Sequence, residues 1–138
     1  MSRVYSLRYA VVITVSLVLS LAAWGLSSSG GAADSGTVYR LSAIYPQTES
    51  STFDMDYYKN EHIPLVEELF APLSIEVNEG VSGTEEGSPP PYAVMTDITF
   101  ATLEDLQNAV VMHGAEVIGD IPNFTDVEAQ LQINRSSD

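Results

Sequence analysis

Apolar residues recur along this chain with two periods, and the switches between them predict the order of its elements. From Thr37 to Tyr45 the sequence is rich in strand formers, with Tyr39, Leu41, Ala43 and Tyr45 on one face and Pro46 closing the run. Ser50 to Asp54 supplies cap-type residues, and a helical period follows. Met55, Tyr58, His62, Leu65, Val66 and Leu69 fall in one stripe about 100° wide, while Asn60, Glu61, Glu67 and Glu68 lie outside it. Pro64 predicts a kink or split just after His62, because its ring blocks the regular helical bond, and Pro72 stops the helix.

A second strand is expected around Ile75, Val77 and Val81, then a turn-rich loop from Gly83 to Pro91. Tyr92, Val94, Thr96, Ile98 and Phe100 alternate with Ala93, Met95, Asp97 and Thr99, a clear strand. Thr102 with Asp105 three residues on resembles a capping box, and Leu103, Leu106 and Val110 give the next helix its buried face. Gly114 either ends this helix or is followed by a further turn to Gly119. Val127, Ala129, Leu131 and Ile133 alternate with polar residues in the last strand. The order β-α-β-β-α-β predicts an α+β, ferredoxin-like fold: a four-stranded antiparallel sheet with both helices on one face. A second sheet would cover the bare face, so a homodimer is expected.

The first 33 residues read differently. Arg3 and Arg8 precede an apolar run from Tyr9 to Ala23, and small residues from Ser27 to Ala33 offer a cleavage site before Asp34. That order is the pattern of a signal peptide, which makes the expected protein periplasmic or extracellular. The alternative is an uncleaved membrane anchor over residues 9–26. Residues 34–138 then form one domain, and they carry all 19 acidic residues against Arg40, Lys59 and Arg135, a net charge of −16. Such a field repels nucleic acid and anionic lipid. The chain has no cysteine, which removes disulfides, thiolate nucleophiles and thiolate metal sites.

Tyr45-Pro46, the run Phe53-Asp54-x-x-Tyr57-Tyr58-x-x-x-His62-x-Pro64-Leu65-Val66, and the segment Asp120 to Asp126 resemble the EthD family of small dimeric α+β barrel proteins. The resemblance spans nearly all of residues 38–135. It implies a ferredoxin-like fold in which two chains close a barrel. Members are linked to ether degradation and to steps on aromatic polyketides, and related barrels include cofactor-free cyclases and oxygenases as well as haem enzymes.

Tyr58 and His62 stand one helical turn apart on the apolar stripe, where a histidine can move a proton and a phenol can hold a substrate oxygen. They are the candidate catalytic pair for chemistry on an apolar, oxygen-bearing molecule, with no cofactor. A histidine on an apolar stripe is otherwise a core residue satisfied locally, here by a backbone carbonyl freed near Pro64. An open cavity of roughly 300 Å³ beside the pair would serve catalysis, and a closed core would make the protein a binding or dimerisation module. Asp120 and Asn123 are candidate ligand-binding residues at a pocket mouth, although Asx residues near Pro122 also build turns. Tyr57 points away from the stripe, and His113 is structural. Two histidines 51 residues apart with no HExxH motif form no metal site.

The charge density carries a measurable consequence. Counter-ions should screen the self-repulsion, so the melting temperature is expected to rise between low and molar salt. A melting temperature independent of salt would count against adaptation to saline surroundings.

Overall fold

Four strands of alternating apolar residues form one antiparallel sheet: β1 (Val38–Pro46), β2 (Ser74–Glu79), β3 (Tyr92–Phe100) and β4 (Gln130–Ser136). The computed structural model describes residues 36–136, and the expected leader with its cleavage site lies outside them. The strand order is β2-β3-β1-β4. Leu41 pairs with Ile98, Ala43 with Thr96 and Tyr45 with Val94 at the sheet centre. These side chains all point to the face that the helices cover, as the period of two requires. The β-α-β-β-α-β order read from the sequence is the order found.

The opposite face is polar where the central strands meet β4. Asn134 donates to the Ser42 hydroxyl at 2.8 Å, Ser42 donates to Asp97, and Gln132 donates to Asn134. The edge strand β4 behaves differently on the helix side. Leu131 and Ile133 point the same way as the core residues they pair with, Ala43 and Leu41, yet are 49% and 48% exposed. The helix layer stops short of this edge.

The first helical stretch is continuous where the sequence predicted a kink or split. It runs as α1 (Met55–Tyr57), a π-helical turn (Tyr58–His62) and α2 (Ile63–Phe70). Asp54 caps it by accepting the Tyr57 amide at 3.0 Å. Pro64 lies in the first turn of α2, and the chain accommodates it by widening the turn before it, where the Ile63 amide reaches the Tyr58 carbonyl. The expected second strand ends at Glu79, and Val81 is exposed.

The second helix, α3 (Leu103–Asp120), starts at the predicted cap, with the Asp105 amide on the Thr102 hydroxyl at 3.0 Å. It runs straight through Gly114 and ends in a 3₁₀ turn at Ile121–Asn123. Its buried side chains Leu106 and Val117 join Leu41, Val66, Phe70 and Ile98 in one core cluster. A second, largely aromatic cluster joins Ala43, Tyr45, Tyr58, Val94 and Phe124 at the other end of the sheet.

α2 ends at Ala71, whose φ of 45° is left-handed. A side chain there costs about 1–2 kcal/mol, part of which glycine gives back as unfolded-chain entropy. Ala71→Gly should therefore stabilise the fold by ~0.5–1 kcal/mol, read from the urea midpoint, and a destabilised variant would contradict this conformation.

Candidate active site

The wide turn at Tyr58–His62 sets the geometry of the site. It brings the two rings, four residues apart, into a stack with centroids 5.3 Å apart and planes at 20°. Both side chains are buried, with His62 only 3% exposed. The Phe124 ring packs on both, 4.5 Å from the His62 ring and 5.0 Å from that of Tyr58.

Phe124 comes from the far end of the chain and is held by a staple of backbone and side-chain bonds. The Asp54 amide donates to the Phe124 carbonyl at 2.7 Å, the Thr52 amide to Asp126 Oδ1 at 2.8 Å, and the Thr125 hydroxyl to the Thr52 carbonyl at 2.7 Å. These bonds join the loop before α1 to the segment after α3. The two stretches of conspicuous sequence, Phe53–Asp54 and Asp120–Asp126, are thus one structural unit.

Asp120 ends α3, where the negative pole of the helix opposes a carboxylate. Three donors offset that cost. His62 Nδ1 lies 2.8 Å from Oδ2, while Tyr57 and Asn123 donate to Oδ1 at 3.0 and 2.7 Å. Desolvation pushes the Asp120 carboxyl up, but these hydrogen bonds outweigh it and hold the group below the usual carboxylate range. Burial lowers the His62 pKa from its ordinary value, with Asp120 opposing the shift through its hydrogen bond and charge. At neutral pH the pair is therefore a carboxylate and a neutral imidazole. An ionised carboxylate only accepts, so the proton sits on Nδ1 and Nε2 carries the lone pair.

Nε2 makes no hydrogen bond to the described residues, yet it is not sealed in the core. His62 lines a cavity of about 50 Å³ between helices and sheet, together with Tyr45, Tyr58 and Thr96 among otherwise apolar walls. The Tyr58 hydroxyl is 2.7 Å from the Thr96 hydroxyl and adjoins that of Tyr45. Burial raises both phenols, that of Tyr45 further through the neighbouring Tyr58, so both stay protonated. Three hydroxyls joined by two hydrogen bonds leave one O–H to donate. A base and a hydroxyl donor thus border one small apolar space. That space is far too small for a haem plane.

The two expected outcomes for His62 were an open cavity or a closed core, and the structure takes neither form. One nitrogen is held by a side-chain carboxylate and the other borders a small cavity. Tyr58 and His62 come together as the stripe implied. Asp120 and Asn123 join them from the other side, with Asp120 contacting His62 and Asn123 contacting Asp120. Tyr57, which the helical stripe turns away, reaches the site through Asp120. Tyr45 and Thr96 carried one legible signal, a hydroxyl at an inward position of an apolar strand.

The fold and this buried pair define an α+β protein of ferredoxin-like topology with a histidine–aspartate couple under its helix layer. The chain belongs to the EthD family: the family model for the EthD domain matches residues 46–128, which include every member of the site except Tyr45. Among solved structures it is 35% identical to an EthD-like protein from Ralstonia eutropha JMP134, over 72% of this chain and 90% of that one, with a TM-score of 0.67. An ethyl tert-butyl ether D (EthD) family protein from Bacillus halodurans C-125 shares the fold at 22% identity, over 70% of this chain and 96% of that one, with a TM-score of 0.56. No curated protein matches the chain.

The electrostatics set a direction for two measurements. Because the folded pKa of His62 is depressed, the fold keeps its full contribution above the unfolded value of about 6.5 and loses it as pH falls below that. Asp120→Asn removes the interactions that raise the imidazole, so the His62 ring should titrate at still lower pH, seen by NMR. A ring that titrates unchanged in that variant would disprove the coupling.

Proposed function

We propose that this EthD-family protein is a small, exported, homodimeric enzyme that needs no cofactor and acts on an apolar, oxygen-bearing molecule such as a phenol, quinone or ketone. The observation that carries this reading is the His62–Asp120 bond, which leaves Nε2 basic at the edge of a hydroxyl-lined cavity. His62 takes a proton from the substrate through Nε2. Asp120 holds the tautomer and steadies the imidazolium that forms, the role a carboxylate plays behind any catalytic histidine. Tyr58, bonded to Thr96, orients the substrate oxygen and donates to it as charge develops. Tyr57 and Asn123 fix the carboxylate and touch no substrate.

Export rests on the basic, apolar and small segments of residues 1–33. The homodimer rests on the uncovered sheet face, whose Ser42–Asp97–Asn134 network spans the three strands β3, β1 and β4. A second reading, a module that binds a small ligand or only dimerises, is favoured by the cavity of about 50 Å³. Typical ligand sites measure about 300 Å³ or more.

A panel of phenols, quinones and ketones separates the two. On any substrate that turns over, His62→Ala should lower kcat by about 10²–10⁴-fold. The wild-type rate should fall on the acid side with a midpoint below about 6.5, since the base must be unprotonated and its pKa is lowered. Equal rates for wild type and His62→Ala would remove His62 from the chemistry and leave the binding module.

A further inference from the structure

A cavity of about 50 Å³ admits a few atoms, whereas a benzene ring occupies one of about 150 Å³. Any larger ligand must keep most of its bulk elsewhere, and the walls show where. Ile118, Ile121 and Leu131 line the cavity and also line an outer groove of about 460 Å³ between the end of α3 and the edge strand β4. Ile118 and Leu131 are about half exposed, 51% and 49%. The groove therefore continues the cavity outward, past the edge that the helix layer leaves uncovered. Its rim carries the carboxylates of Asp126 and Glu128.

Gly114 gives an independent reason to read the inner cavity as a built space. It sits in the middle of α3, where glycine costs about 1 kcal/mol relative to alanine. A Cβ there would meet only Val110 Cγ1, at an ordinary 3.5 Å, so close packing does not demand glycine. The residue lines the cavity, and any side chain at this position would project into the space beside His62.

Resting on the proton-transfer reading above, we infer that the substrate is an uncharged, unbranched molecule whose narrow dicarbonyl end lies beside His62 and whose apolar body runs through the groove between Ile118 and Leu131. The class follows from three features. The width at Gly114 and His62 takes a chain end and not a ring. The acidic rim, within a domain of net charge −16, opposes anions. A weakly basic imidazole removes only fairly acidic protons, and a C–H between two carbonyls is acidic enough while that of a simple ketone is not. In the step, the C–H bond breaks, its proton joins Nε2, and its electron pair moves onto a carbonyl oxygen. That oxygen accepts the hydrogen bond from the Tyr58–Thr96–Tyr45 hydroxyls, and the enolate is discharged by return of the proton.

The full-length chain is titrated with 2,4-pentanedione, 2,4-nonanedione and nonanoate while the His62 ring signals are followed by NMR, assigned against His62→Gln. Both diones should shift the ring, and the four extra methylenes should tighten binding at least tenfold. Nonanoate should leave it unmoved. Leu131→Glu should bring the two diones to nearly equal affinity, and Gly114→Leu should abolish the response to both. If pentanedione binds and chain length adds nothing, the groove is not the binding path, and the proton-transfer reading survives. A groove covered by a second copy of this chain would produce that outcome. If nonanoate binds as well as nonanedione, the assignment to uncharged ligands is wrong. If neither dione moves the ring while the earlier panel yields a His62-dependent phenol reaction, the substrate class alone is overturned.

Discussion

Asp120 receives three side-chain donors at the end of a helix whose dipole would by itself disfavour a carboxylate there, and the organisation of the helix layer depends on that cluster. Without the carboxylate, the imidazole of His62 would be a nearly buried ring with no fixed tautomer. Tyr57 and Asn123 would lose their common acceptor, and the 3₁₀ turn after α3 would lose its tie to the first helical stretch. The acceptor's position is in turn set by the staple between residues 52–54 and 124–126, which holds Phe124 against both Tyr58 and His62. Polar satisfaction and aromatic packing act here on the same few atoms.

Local rules are broken around this site and kept away from it. A π-helical turn carries Tyr58 and His62, a carboxylate sits at the wrong helix pole, and a glycine interrupts the interior of α3 beside the cavity. By contrast, the caps at Asp54 and Thr102 follow ordinary helix chemistry. Departures of this kind cluster where structure is held for chemistry instead of stability. The cavity's small size and its continuation into an outer groove have the same origin. The helix layer ends before β4, so one wall is an edge strand that packs on one side only.

The strands and the two helical stretches were legible because their periodicity is local: burial on one face imposes a period near two or 3.6 on any neighbouring residues. The pairing of Tyr58 with His62 was legible for the same reason, since four residues span one turn. Pro64 was legible as a disturbance, though not as a π turn, because a helix can meet a missing N–H by breaking or by widening. Its form depends on what packs against it. The acidic character and the absence of thiol chemistry needed no structure at all.

Only the tertiary fold decided what His62 touches. Asp120 lies 58 positions away, and loop closure over that distance leaves no periodic trace in the sequence. A turn near Pro122 and a histidine partner use the same residue types, so Asp120 and Asn123 could be singled out without their roles being separated. Tyr57 was turned away from the stripe by helical geometry, and it joined the site only because α3 ends beside it. The sequence by itself determined the α+β order, the family motif and the aromatic-histidine face. The structure decided which nitrogen is held and which one borders the cavity, because those depend on contacts between segments that no local period connects.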